Sequence, residues 1–259
     1  MSKVHSIDKL DTAYQNYYHK IIQVVDKERV FIDALHTIAY GTDASLYRLI
    51  PKIVIKALSE EELGAIMHLA HYMKLPLTVR TAGTSLSGQA SSDSILVSLD
   101  WGFKKYTFSE NVDKITLEPG LIAGHINRIL KPYNKKLGPD PASIDSAMIG
   151  GIINNNSSGM CCGIVENSYQ TIDTLRIMLY DGTILDTSDA DNVASFRETH
   201  KGLLDELLQL AKETNDDPAL KQKIIQKYKI KNTTGYSLNA LTDFDDPIDI
   251  LTHLIVGSE

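Results

Sequence analysis

The sequence predicts an α+β fold, with a small parallel β–α–β subdomain followed by a larger, mostly antiparallel sheet flanked by helices. Three observations point there. Two short β-branched runs, Lys52-Ile-Val-Ile-Lys56 and Leu77-Thr-Val-Arg80, bracket an amphipathic helical stretch, and a crossover of that kind joins parallel strands. Further on, Thr174 to Tyr180 and Thr183 to Asp186 flank Asp181-Gly182, a dipeptide that turns an antiparallel hairpin. From Ser188 onward the pattern changes to polar helices.

Taken in order, residues from about Leu10 to Leu35 read as helix in one or two pieces. Tyr14, Tyr17, Tyr18, Ile21, Ile22, Val24 and Val25 recur there at helical spacing among charged residues. The reading makes 1–45 an N-terminal helical extension that caps the domain. Gly41, Asp43 and Ser45 mark a loop ending near Pro51. Ser59 followed by Glu60, Glu61 and Glu62 is a helix start, with a capping hydroxyl and carboxylates at the positive end of the dipole. Leu63, Ile66, Met67, Leu69 and Ala70 supply that helix with its apolar face, and Pro76 leads into the next strand. Strands follow at Ser94–Asp100 and Lys114–Glu118, and a helix at Ile122–Leu130 is ended by Pro132. After Ser188, Leu203, Leu204, Leu207, Leu208 and Leu210 are expected on one helix face, with Ile224 and Ile225 on a second. Ile248 to Leu254 carries a last helical pattern. No internal repeat or low-complexity linker marks a boundary.

The chain has 259 residues, 43% of them hydrophobic and 23% charged, an ordinary globular composition. A formal charge of −7 argues against nucleic acid as partner, since phosphate-backbone readers carry a basic face. The two cysteines, Cys161 and Cys162, are neighbours. They give no disulfide framework and too few ligands for a zinc site or an iron–sulfur cluster; two thiols on a turn is the simpler reading. No metal site is expected: His68 and His71 stand three apart on a helix with no third ligand in view. No apolar run is long enough to span a bilayer, and the N-terminus lacks a signal-peptide layout. A cytoplasmic protein, or the cytoplasmic part of something larger, is the expectation.

Two stretches carry the chemistry. Gly138 to Gly163 interleaves Met148, Ile149, Ile152 and Ile153 with glycine, asparagine and serine. Pro139 and Pro141 prevent ordinary strand pairing, and Gly150 and Gly151 let the main chain approach another body closely. That mixture suits the wall of a ligand site better than a solvated loop. The second stretch is Arg80-Thr-Ala-Gly-Thr-Ser-Leu-Ser-Gly88. Small residues in a tight loop can turn successive N–H groups into a nest for phosphate oxygens. It is not a Walker A loop, because Gly88 is followed by Gln89, and neither G-x-G-x-x-G nor G-x-S-x-G is present. The loop runs from strand to strand, which is unusual for phosphate loops.

Together, in this order and strand context, the two loops resemble the FAD-binding domain of the vanillyl-alcohol-oxidase type (PCMH-type) flavoproteins. Arg80 to Gly88 is similar to that family's pyrophosphate loop, and Ile149-Gly150-Gly151 through Asn156 and Gly159 to its second flavin segment, I-G-G-x-x-x-x-N-x-x-G. The runs GPDPASIDSAMIGG, NNNSSGMCCG, NSYQT and IKNTTGYSLNAL resemble the large FAD-dependent D-lactate dehydrogenases that carry iron–sulfur clusters in a C-terminal half. The resemblance covers about residues 35 to 259. It implies a PCMH-type domain over 46–259, with a first subdomain at 48–110 and a second at 111–259 that holds a helical insertion at 190–230. Gly257-Ser-Glu259 matches the first residues of the family's G-S-E-G-T-L-G motif, which implies a C-terminally truncated domain. The substrate cap and any cluster-binding cysteines would then lie beyond it.

By this resemblance, Thr81, Ala82, Gly83, Thr84 and Ser85 hold the FAD pyrophosphate, with Arg80 and Gly88 framing the loop. Gly150, Gly151, Asn156, Ser158 and Gly159 meet the ribityl chain and diphosphate. Pro139, Asp140 and Pro141 lie near the isoalloxazine with Ser146 close by, and Ile172, on the strand after the loop, is an adenine-side or plain core position. Lys231, Asn232 and Tyr236 are weaker members of the set. The loop offers no histidine or cysteine for attachment, so FAD is expected to bind non-covalently. The implied reaction is oxidation of a D-2-hydroxy acid, D-lactate first, by hydride transfer to flavin N5, with electrons passed to a downstream acceptor. Relatives acting on glycolate or D-2-hydroxyglutarate, or a truncated module without FAD, are the alternatives. The family's base and carboxylate-binding groups come largely from the cap, so no catalytic residue is named and the chain alone is expected to be inactive. A place peripheral to the inner membrane face is implied for the full-length protein.

Overall fold

The structure is a computed structural model and describes residues 7–232 and 235–259. The chain divides into two compact units: one comprises residues up to Lys135 with Ser143–Gly151 and Leu179–Thr183, the other Lys136–Ala142, Ile152–Met178 and Ile184–Glu259.

In the first unit, α1 (Thr12–Ile21) buries Tyr14, Tyr17, Tyr18 and Ile21. The expected helix through residue 35 does not continue. A 3-10 turn at Lys27–Arg29 leads into a short strand, β1 (Val30–Phe31), and then α2 (Ala34–Ala39), capped by Asp33. Val24 is exposed, so the apolar spacing there overstated the helix. Next come β2 (Ile53–Lys56), α3 (Glu60–Tyr72), β3 (Leu77–Arg80) and β4 (Ile95–Ser98). Ser59 caps α3 by accepting from the Glu62 N–H at 3.3 Å.

The strand order is β1-β2-β4-β3, with β4 parallel to both β2 and β3 and β1 antiparallel to β2. The β–α–β unit thus has parallel strands as expected, but β2 and β3 are not neighbours: β4 lies between them. Burial explains the choice. Ile53, Val54, Ile55, Ile95, Leu96 and Val97 are each 0% exposed, continuous apolar runs of the kind central parallel strands require. Each such side chain contributes about 1.5–3 kcal/mol of burial energy. Tyr17 donates its hydroxyl to the Ile66 carbonyl at 3.1 Å, fixing α1 on α3, and burial pushes its pKa up.

A two-stranded antiparallel ribbon, β5 (Tyr106–Phe108) with β6 (Ile115–Leu117), precedes α4 (Ala123–Leu130). A second ribbon is formed in the other unit by β7 (Arg176–Met178) and β8 (Ile184–Asp186), after the short helices α5 (Ile149–Asn154) and α6 (Ser168–Thr171). Gly182 takes φ +90° in the turn between them. The antiparallel elements expected downstream are therefore present. The later helices are α7 (Ala190–Thr199), α8 (Lys201–Asp216), α9 (Pro218–Lys227), α10 (Ala240–Asp243) and α11 (Pro247–Leu254). On α8 the buried face is Leu204, Leu207, Ala211 and Thr214, while Leu203, Leu208 and Leu210 are exposed. The expected leucine face was too wide: at 100° per residue Leu208 falls to one side of that buried stripe and Leu203 and Leu210 to the other. Among the described residues no helix is long and apolar enough to cross a membrane.

Arg29 clasps Glu62 with both arms, Nη1 to Oε2 at 2.7 Å, and donates to the Lys56 carbonyl at 2.9 Å. Glu62 also accepts the Leu58 N–H at 2.9 Å. The Arg29 hydrogen bond holds the Glu62 carboxyl below its ordinary range, against the opposing effect of burial. A depressed folded-state pKa adds stability that is present above the unfolded value, near 4.3, and is lost as pH falls through the folded one. Glu62→Gln is therefore expected to lower stability at pH 7 and to shrink the difference from wild type as pH falls through the lowered folded-state value, read from urea midpoints across pH.

Candidate functional site

At the C-terminal end of β3 the chain leaves Arg80 for the loop that ends near Gly88, all within the first unit. Among the described residues, none of the backbone N–H groups from Thr81 to Leu86 donates to another protein group. Thr81 to Ser85 are only half-buried. Backbone donors are normally satisfied, so a run of free ones in a loop of small residues is a ready anion receptor. Gly83 and Gly88 take φ +69° and +84°, conformations that glycine adopts without the Cβ penalty. The Ser85 hydroxyl turns to Gln89 Oε1.

Beneath this loop lies the Arg80 guanidinium. It fills the space that a Cβ on Gly83 would occupy and donates to the carbonyls of Tyr40 at 3.1 Å and Thr42 at 2.8 Å. Desolvation draws its pKa down, opposed by Asp43, Tyr40 and Asp100; an arginine stays charged regardless. Gly83 accepts the Ala44 N–H at 3.0 Å, and the Tyr47 ring packs where a Cβ on Gly88 would come within 2.8 Å. Asp43 Oδ2 and Ser91 Oγ are buried without a hydrogen-bond partner. Tyr40, Thr42, Ala44 and Tyr47 were not legible as site residues. Their segment has no periodicity, and only Gly41 and Asp43 hinted at a turn.

Ile149 to Asn154 forms helix α5 rather than open loop, and Gly150 and Gly151 lie in its first turn. Gly150 donates to the Pro119 carbonyl at 3.0 Å. A Cβ there would meet Pro119 at 2.9 Å and Thr81 at 3.1 Å, so the body Gly150 approaches is the protein itself. At Gly151 only Thr81 Oγ1, at 3.3 Å, is near; its open side is free for a ligand. The exposed Ser146 spends its hydroxyl on the Ser143 carbonyl at 3.1 Å.

In the second unit, Asn156 sits at φ +44° and is buried. Its Oδ1 accepts the Tyr169 N–H at 3.1 Å and its Nδ2 donates to the Asn232 carbonyl at 3.3 Å. Lys231 Nζ donates to the Ser158 carbonyl at 3.2 Å, while the Ser158 hydroxyl is buried and unpartnered. Gly159 packs so tightly on the Asp140 main chain and carboxylate that a Cβ would overlap them. Asp140 Oδ1 accepts the Cys162 N–H at 3.3 Å. The Cys162 thiol, assisted by its N–H, the Cys161 thiol and Lys136, holds the Asp140 carboxyl below its ordinary range against desolvation. Cys162 is buried and Cys161 exposed. Pro139 is buried and Pro141 half-buried. Ile172 lies just past α6 rather than on a strand, and packs on Tyr169, Ala240 and Val256. Tyr236 is exposed, and its carbonyl accepts from the Tyr228 hydroxyl at 2.9 Å. Thr233 and Thr234 of the same motif lie outside the described residues.

The structure thus brings Arg80, Thr81, Gly83, Gly150 and Gly151 together in one unit, and Asp140, Asn156, Ser158 and Gly159 in the other. A cofactor with an anionic diphosphate fits what is present. In the first unit the free amides and the half-buried Arg80 cation suit its charge.

The family described as FAD binding domain matches residues 51–188. D-2-hydroxyglutarate dehydrogenase of Escherichia coli (strain K12) is 27% identical over 235 residues, covering 85% of this chain and 22% of the relative. D-lactate dehydrogenase [cytochrome] 1, mitochondrial, of Saccharomyces cerevisiae is 28% identical over 158 residues, covering 59% of this chain and 27% of that protein. The chain therefore spans about a quarter of the length of these relatives. Among solved structures, 4-ethylphenol oxidase from Gulosibacter chungangensis superposes with a TM-score of 0.58 at 20% identity, over 69% of this chain and 36% of that one. That likeness shows the fold: α+β, of the PCMH-type expected from the two loops.

The two glycine environments predict opposite outcomes. Gly159→Ala is expected to cost about 2–4 kcal/mol, because Asp140 must move. Gly151→Ala is expected to be neutral or to stabilise by up to about 1 kcal/mol through helix propensity. Urea unfolding of the two variants beside wild type measures both.

Proposed function

Because the chain belongs to the FAD binding domain family, we propose that it binds FAD non-covalently as the cofactor-holding part of an oxidoreductase that oxidises a D-2-hydroxy acid. The observation that carries this reading is the run of unpaired N–H groups from Thr81 to Leu86 above the half-buried charge of Arg80. Two phosphate groups linked in a diphosphate supply the negative charge and the acceptor oxygens that such a nest lacks. No histidine or cysteine stands between Arg80 and Gly88, which supports a non-covalent cofactor.

When bound, FAD supplies two-electron, hydride-accepting chemistry for the carbon that bears the substrate hydroxyl. This chain's part is to bind and orient. Thr81, Ala82, Gly83, Thr84 and Ser85 donate amides to the diphosphate, and Gly151 leaves room for close approach. The Ser158 hydroxyl, buried and unpartnered, is proposed as a cofactor contact on the resemblance alone. Asn156 and Gly159 act by shape: Asn156 pins its turn to Tyr169 and Asn232, and Gly159 lets Asp140 close in. Pro139, Asp140 and Pro141 are proposed beside the flavin ring, on the resemblance alone. The electrons go on to a separate acceptor.

Both named relatives act on D-2-hydroxy acids. The longer alignment with D-2-hydroxyglutarate dehydrogenase sets that dicarboxylate beside D-lactate as the substrate to test.

The first experiment is the visible spectrum of the purified chain after incubation with FAD and gel filtration. A flavin band that co-elutes with protein is the expected outcome; a colourless protein overturns the cofactor reading. For the reaction, the product of the whole reading frame is expected to reduce an artificial dye with a D-2-hydroxy acid and to leave the L-enantiomer untouched. Equal rates with both enantiomers, or none with D-lactate, D-2-hydroxyglutarate or glycolate, would remove the substrate class.

A further inference from the structure

We infer that Arg80 is a positioning residue for the diphosphate loop, acting on the ligand through Gly83 and the segment from Tyr40 to Tyr47 without touching it; this rests on the FAD reading above. The geometry is specific. Both hydrogen bonds from Arg80 Nη1 are spent on main-chain carbonyls of that segment, Tyr40 at 3.1 Å and Thr42 at 2.8 Å. The rest of the guanidinium lies against Gly83, in the volume a side chain there would need. From the other side, Ala44 donates its N–H to the Gly83 carbonyl at 3.0 Å, and the Tyr47 ring closes on Gly88.

The segment is itself pre-formed. Asp43 Oδ1 accepts the Ser45 N–H at 2.8 Å, the Tyr47 N–H donates to Ser45 Oγ at 3.0 Å, and Thr42 bridges Arg48. The loop is therefore held at Arg80–Gly83, Ala44–Gly83 and Tyr47–Gly88 by a strap with hydrogen bonds of its own. Planarity and the fork of donors explain why arginine serves here: a lysine keeps the charge but cannot reach two carbonyls while lying flat under a glycine. Removing the guanidinium leaves the Tyr40 and Thr42 carbonyls without their donor and opens a space under Gly83. Thr81 to Leu86 must then be ordered at the moment of binding, which lowers affinity without removing a ligand contact.

The test compares wild type, Arg80→Lys and Arg80→Met in the whole chain, with circular dichroism to confirm the fold. FAD and ADP affinities are measured by calorimetry, and backbone amide exchange is followed in the ligand-free proteins. Arg80→Met is expected to weaken both ligands by about 10- to 100-fold and to speed exchange at Ala44 and Ser45, whose N–H groups are hydrogen-bonded in the ligand-free wild type, with Arg80→Lys in between. Ligand affinity within about twofold of wild type in Arg80→Met overturns the inference. So does weakened affinity with unchanged exchange, which would make Arg80 a direct ligand contact. A wild type that binds neither FAD nor ADP overturns the cofactor reading instead, while the exchange comparison still decides whether Arg80 braces the loop.

Discussion

Strand β4 is the element on which the first unit depends. Ile95, Leu96 and Val97 are fully buried, and the strand is hydrogen-bonded on both edges, to β2 from Ile53 to Lys56 and to β3 from Leu77 to Arg80. Because parallel pairing fixes where each strand stops, Arg80 opposite Ser98 is the last paired residue of β3. The chain beyond Arg80 must therefore leave the sheet at its C-terminal edge. Ligand sites in parallel α/β arrangements lie beyond the carboxyl ends of the strands for this reason. The amide-rich loop is thus placed by core packing, although none of its own residues packs the core.

The loop itself is an exception to the rule that backbone donors find acceptors. Its N–H groups from Thr81 to Leu86 are free because the turns that would satisfy them are prevented: Gly83 is drawn down onto Arg80 and across to Ala44. A half-buried cation under the loop, with Asp43 and Asp100 near enough to temper it, biases the site toward negative ligands. In a chain of formal charge −7, attraction for an anion has to be local, and here it comes from oriented amides and one desolvated arginine.

In the second unit a different constraint operates. Gly159 and Asp140 are pressed together, Cys162 joins them through its N–H and thiol, and Asn156 ties the end of α5 to Tyr169 and Asn232. Ser237 and Gly257 extend the same knot: the Ser237 N–H donates to the Leu254 carbonyl at 2.9 Å and the Gly257 N–H to the Ile153 carbonyl at 3.1 Å. Polar groups so engaged set backbone shape. Ser158 Oγ, buried and unpaired, is the one among the proposed cofactor contacts here whose hydrogen-bonding capacity the protein leaves unused.

The sequence by itself determined the element types and the identity of the two loops. β-Branched runs, the Ser59 cap, the Asp-Gly turn and the density of small residues around Gly83 and Gly150 are local signals, and local chemistry is what sequence spacing records. The resemblance of Arg80-to-Gly88 and Ile149-to-Gly159 to the two cofactor segments of a flavin-binding family pointed to that family. Only the tertiary structure decided that β4 separates β2 from β3, that residues 30–31 form a strand, and that Leu203, Leu208 and Leu210 face away from the α8 core. The same holds for the glycines: Gly150 yields to Pro119, Gly159 to Asp140 and Gly83 to Arg80, partners that lie from 3 to 31 positions away in the chain. A glycine in a sequence says that a side chain is excluded. What excludes it is a fact of packing in three dimensions, and it is this fact that separates residues shaping the site from residues left free to hold a ligand.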